Sequence, residues 1–320
     1  MKTKIKKIVN ILLPLLLGVF FVYYAYIQFT PEQLTEMKSY FSHVNYQYIV
    51  LATFFSVIGL VSRAYRWKYA LNYLGYESSF NNNMMAVCVG YLMNLTIPRS
   101  GELSRAVVLQ KYEKIPFDKG FGTIIAERVI DLIFLLVFVL IAVSLQYHQL
   151  KDFLSEKIPL QNLVLSGFVL LVLMMAGIYL VFYSDWSFFK FIRQKIQGLI
   201  EGVLSIFKMP HRLPFLLHTF IIWISYILTF YYGTFILQET VGISFGVVMV
   251  TFVVGSVAMT FTSGGFGAFP LMISQIMVLY GISATVGTSF GWILWILQTV
   301  FTIITGAISF LLLPVLNKNK

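Results

Sequence analysis

The sequence predicts an all-α polytopic integral membrane protein, with about six full transmembrane helices and two broken segments that re-enter the membrane as helical hairpins. Three observations carry this. Charged residues make up 11% of the 320 residues and hydrophobic residues 58%, whereas an average soluble domain is about 25% charged. The apolar residues fall into long continuous runs, which argues against the alternating pattern of a transmembrane β-barrel. The 23 Lys and Arg residues lie almost entirely between those runs. Disordered and fibrous classes are excluded by the same composition, with its mean hydropathy of +0.82.

Taken in order, the spans fall at about 8–29, 47–68, 119–146, 161–183, 213–237 and 287–315. Each reaches the roughly 20 apolar residues that a ~30 Å hydrocarbon core demands. The first follows Lys2, Lys4, Lys6 and Lys7 and resembles a signal peptide. Its length, and the lack of a clear small-residue cleavage site, favour a retained helix with a cytoplasmic tail. Residues 83–98 form a shorter run that stops at Asn94 and Pro98, and 244–281 form a longer one broken at Ser263-Gly264-Gly265-Phe266-Gly267 and Pro270.

Charge decides how these two segments are read. A complete crossing by 83–98 would place Arg99, Arg105, Lys111, Lys114 and Lys119 outside. A hairpin over 83–116 keeps them inside. Nineteen of the 23 Lys and Arg are then cytoplasmic, and only Lys38, Lys151 and Lys157 are external. The net charge of +10 therefore reads as topology, and no nucleic-acid partner is expected. The same logic makes 244–281 re-entrant from outside, although three full crossings would also satisfy the charge pattern. Both termini are expected in the cytoplasm, in what would be a bacterial inner membrane. Interrupted segments at matching positions in two halves point to a transport site near the midplane, with an inverted repeat as a hypothesis. Residues 1–320 read as one transmembrane domain. Within it, 186–209 is an amphipathic, basic helix suited to the cytoplasmic interface. Residues 31–46 form a similar, less basic segment outside.

Four constellations could carry chemistry. Asn94 precedes the Pro98 break, and Arg99, Glu102 and Arg105 follow it. Two guanidinium forks near a helix start can grip a phosphate, or they can snorkel from a solvated turn. Glu127, Arg128 and Asp131 fall within an apolar span, about two turns or roughly 12 Å inside if the span begins at Lys119. Intramembrane charges are costly and mark either an ion-pair lock or a functional site. Ser263, Gly264, Gly265 and Gly267 free the backbone for a ligand or for close helix packing. Arg63, Arg66, Trp67 and Lys68 at the inner end of the second span read as an aromatic and basic interfacial belt. The four His residues show no metal-site spacing, and HExxH, GxSxG and P-loop motifs are absent. No enzyme activity, cofactor or metal is expected. The single Cys88 excludes an intramolecular disulfide.

Taken together, Asn94-x-x-x-Pro98-Arg99-x-Gly101-Glu102-x-x-Arg105, Glu127-Arg128-x-x-Asp131, Gly264-Gly265-Phe266-Gly267 and Arg63-x-x-Arg66-Trp67 resemble the flippase-like membrane family typified by the transmembrane domain of lysylphosphatidylglycerol synthase. That resemblance implies movement of a phospholipid or polyprenyl-phosphate lipid between leaflets. Family members often carry an acidic residue just after the glycine-rich break, where this sequence has Pro270, so no carboxylate role transfers there. The aminoacyl-transferase domain of the named enzyme is not expected here, since the sequence stops at Lys320. Two further readings stay open: a membrane enzyme acting on a lipid-phosphate or polyprenyl-phosphate sugar, and a non-catalytic partner subunit. Oligomeric state is open, with a homodimer as one option.

Overall fold

A computed structural model describes residues 16–97, 99–147, 149, 151, 160–194, 197, 208–260 and 262–318. Among these it is helical throughout, with no strand. The helices are α1 (Leu16–Tyr26), α2 (Pro31–Ser42), α3 (Tyr46–Tyr73), α4 (Phe80–Thr96), α5 (Ser100–Tyr112), α6 (Phe117–Leu145), α7 (Leu160–Tyr183), α8 (Arg212–Gly233), α9 (Phe245–Ala258), α10 (Ala268–Leu279) and α11 (Ala284–Leu316). Four of them, α3, α6, α8 and α11, are long and apolar enough to cross a membrane. The 24-residue α7 occupies the fourth predicted span, and α1 is the described part of the first. The basic N-terminal tail lies outside the described residues. Of the amphipathic segment, 187–194 is helical, and 195–207 apart from 197 also lies outside them.

Polar side chains set the helix starts. Asn45, Ser79, Ser244 and Ser283 each accept a hydrogen bond from a backbone N–H in the first turn of α3, α4, α9 and α11. Each satisfies a donor that the helix itself leaves unpaired. Thr30 and Gln33 form a reciprocal capping box at the start of α2.

α3 and α8 pack antiparallel over most of their length. The contact runs from Asn45 N–H donating to the Ile236 carbonyl (2.8 Å), past Gly59 against Ser225, to Arg66 donating to Thr219 Oγ1 (3.2 Å). Around this pair lie two apolar cores. One includes Trp67, Leu71, Met85, Leu109, Ile124 and Phe215 and seats the α4–α5 hairpin. The other includes Trp223, Phe230, Phe252, Phe269 and Phe290 and seats the α9–α10 hairpin.

Each hairpin turns where the sequence breaks. α4 ends at Thr96 and α5 begins at Ser100. Gly101 lies so close to the Gly90 carbonyl and the Asn94 amide that no Cβ fits, which lets the two helices close together. In the second hairpin a short 3₁₀ turn, Ser263–Gly265, joins α9 to α10. Gly267 combines a φ of +72° with backbone contact against Gly18 of α1, a position that only glycine fills without strain. Pro270 lies in the first turn of α10, where a missing N–H is tolerated, so the glycine stretch alone makes the break. The two hairpin tips touch: a side chain at Gly264 would run into Leu95.

Candidate functional site

The charged side chains converge from three helices. α3 contributes Arg63 and Arg66, α5 contributes Glu102 and Arg105, and α6 contributes Glu127, Arg128 and Asp131. Spacings of three and four residues place each set on one helix face. Asp131 is the hub. Arg66 grips it with both terminal nitrogens (2.6 and 3.2 Å), and Arg63 Nη1 donates to it at 3.1 Å. Glu127, fully buried, accepts from Arg105 Nη2 (2.9 Å) and lies 3.5 Å from Arg66 Nε. Arg128 pairs with Glu102 at 2.9 Å on the outer edge, where its side chain is 36% exposed.

Aromatic and hydroxyl groups frame the charges. Arg105 stacks over the Trp67 ring, with its guanidinium carbon 4.0 Å from the centroid. The Trp67 indole donates to Thr123 Oγ1 (2.9 Å). Arg63 Nη2 donates to the Tyr226 hydroxyl (3.0 Å), which lies 3.3 Å from the Tyr91 hydroxyl.

The cluster is unbalanced. Four arginines face three carboxylates, leaving one positive charge in excess. Arg63 Nε, Arg66 Nε, Arg105 Nε and Nη1, and Arg128 Nε are buried without a hydrogen-bond acceptor among the described residues, against one oxygen each on Glu102 and Glu127 without a donor. Buried donors left unpaired are expensive; within this set Arg66 Nε and Glu127 Oε1 face each other at 3.5 Å.

Beside the cluster lies a cavity of about 310 Å³. Tyr91 and Tyr226 form its wall toward the arginines, and Asn94, Leu95 and Gly264 bring both hairpin tips to it. The charged groups therefore sit one hydroxyl layer from an open space at the place where the two breaks meet.

The candidate residues named from sequence divide in two. Glu102, Arg105, Glu127, Arg128 and Asp131 come together in the cluster. Asn94 instead closes the first hairpin, its Oδ1 accepting from the Gly101 N–H at 2.7 Å, while also lining the cavity. Arg99 departs from the expected phosphate grip with Arg105. It sits exposed at the tip with φ +62°, whereas Arg105 is buried. Among the glycines, Gly264 borders the cavity and Gly265 and Gly267 pack against Met259 and Gly18. Ser263 is buried with its hydroxyl unpaired.

Arg63 and Arg66 differ most from their sequence reading. They are 3% and 0% exposed, not interfacial anchors, because α3 continues to Tyr73 and carries both into the protein interior. Their three-residue spacing, matched to the carboxylates on α6, is the signal that marks them. Among the described residues no group of three or more His, Cys, Asp or Glu could hold a metal ion.

Comparison with known proteins agrees with this architecture. An archaeal relative, the UPF0104 membrane protein MJ1595 of Methanocaldococcus jannaschii, is 32% identical over 142 residues. That match covers 43% of this chain and 40% of the relative. No solved structure matches. The family model for the lysylphosphatidylglycerol synthase TM region matches residues 11–306, nearly the whole chain, and the protein belongs to that family.

Proposed function

We propose that this protein is a flippase that moves an anionic, phosphate-bearing lipid headgroup between membrane leaflets without changing it covalently. The observation that carries this reading is the arginine surplus beside a cavity at the meeting point of two broken hairpins. Arg105 and Arg128, with Arg63 and Arg66, hold the phosphate. Glu102, Glu127 and Asp131 keep the empty site close to neutral. The lipid tails remain in the bilayer, and Arg99 meets the headgroup at the hairpin tip.

Six spans with two re-entrant hairpins complete the reading, in an inner membrane with both termini cytoplasmic. Helix length supports it. α4 has 17 residues and α9 has 14, or about 26 and 21 Å at 1.5 Å per residue, short of the ~30 Å core. Tip contact supports it further. Hairpins that enter from opposite faces can touch at Leu95 and Gly264 only if both stop part-way.

The test is translocation of a fluorescent anionic phospholipid in proteoliposomes. Arg128→Ala and Glu102→Ala should each slow it by roughly tenfold or more, equivalent to about 1.4 kcal/mol, at unchanged membrane levels. Unchanged rates in both variants remove the cluster from the mechanism. Lipid recovered with an altered mass would replace the carrier with an enzyme.

A further inference from the structure

The cavity and the charged cluster differ in chemistry. Among the described residues no ionised side chain lines the cavity. Its polar groups are amides and hydroxyls, foremost Asn94, Gln298, Thr299 and Thr302, with the Tyr91 and Tyr226 phenols on the side of the arginines. Gln298 and Thr299 lie close to the midpoint of the 33-residue α11, at the depth where hydrocarbon offers no partner. Both are partly exposed and line the cavity. Neither side chain makes a hydrogen bond among the described residues. Asn94 uses Oδ1 on Gly101 and leaves Nδ2 without an acceptor among them.

A primary amide without a partner is costly at that depth, so these groups point to a polar occupant. An acyl or prenyl chain would leave them unpaired. An ammonium or carboxylate would find no counter-ion on the lining. Hydroxyl groups both donate and accept, and they complement an amide that does the same. The aromatic lining, Trp295 among it, suits the apolar face of a small ring or carbon chain. A volume of about 310 Å³ is at the low end of the roughly 300–1,000 Å³ typical of ligand pockets, which fits one small unit. The Arg63–Tyr226 bond of 3.0 Å places this space next to the phosphate site.

We infer that the cavity is a subsite for the uncharged, hydroxyl-bearing part of a phosphodiester headgroup, a glycerol or a single sugar, read by Gln298, Thr299 and Asn94. The inference rests on the proposed function for the phosphate end, while the neutral subsite follows from the cavity's own lining.

The experiment is binding of short-chain phosphodiester lipids to the full chain in detergent, followed by native mass spectrometry. The lipids share their tails and differ only in headgroup: glycerol, glucosyl or ethanolamine. The glycerol or the glucosyl lipid should bind about tenfold tighter than the ethanolamine lipid, as one to two neutral hydrogen bonds would give. Gln298→Leu, and separately Thr299→Val, should reduce that preference several-fold and leave ethanolamine-lipid affinity unchanged. Equal affinity for all three lipids, binding of none, or a preference untouched by both variants overturns the subsite. Selective binding of lipids that then fail to cross proteoliposome membranes leaves the subsite standing and removes the flippase reading.

Discussion

Asp131 holds more of the buried network than any other side chain, with Arg63 and Arg66 both donating to it. Removing it takes the closest carboxylate from two buried guanidinium groups, leaving Arg63 with Tyr226 and Arg66 with Thr219 and the more distant Glu127. Breaking a buried pair in this way costs roughly 3–5 kcal/mol, so Asp131→Ala should markedly lower the thermal unfolding temperature of the purified protein. Arg128→Ala removes a partly exposed partner of Glu102 at the edge of the cluster and should cost less than loss of the central Asp131. The two variants should therefore separate in a thermal melt, the first failing to fold well and the second folding but transporting poorly. Equal melting temperatures would refute the assigned hierarchy. The i,i+3 and i,i+4 set on α6 was legible because charge inside an apolar run has few explanations. Its partners were not. Arg66 lies 65 residues from Asp131 in the chain, and an arginine near a span end looks the same to hydropathy whether it faces headgroups or a carboxylate.

At the level of elements, both breaks were legible from residue chemistry, because Pro98 and the Ser263–Gly267 stretch cannot continue a helix. That the two tips meet was not, since nothing in either segment names the other. The contact makes a direct prediction. The Cβ position at Gly264 lies 3.8 Å from the Leu95 Cα, so cysteines at the two positions would be close neighbours. Leu95→Cys with Gly264→Cys, on a background with Cys88→Ala, should cross-link under mild oxidation and stop lipid translocation, with recovery on reduction. Cross-linked protein that still translocates at full rate would show that the tips need not part. A similar glycine contact, Gly267 on Gly18, joins α1 to the second tip.

Across the whole molecule, run length and the distribution of Lys and Arg carry most of the architecture that a sequence can reveal, because the bilayer imposes both. Packing of α3 along α8 and the division into two cores depend on shape, which composition does not encode. Sidedness remains measurable. On the Cys88→Ala background, a membrane-impermeant thiol reagent should modify Ser100→Cys from the cytoplasmic face and Gly264→Cys, paired with Leu95→Ala to make room for it, from the external face. Labelling of position 264 from inside would replace the proposed second re-entrant hairpin with complete crossings. The excess positive charge of the arginine cluster also has an electrical consequence. An anion that reaches it from water travels through part of the transmembrane voltage, and each elementary charge moved across 100 mV represents about 2.3 kcal/mol. An inside-negative potential pushes such an anion outward, so polarising the vesicle should bias which leaflet the cargo accumulates in.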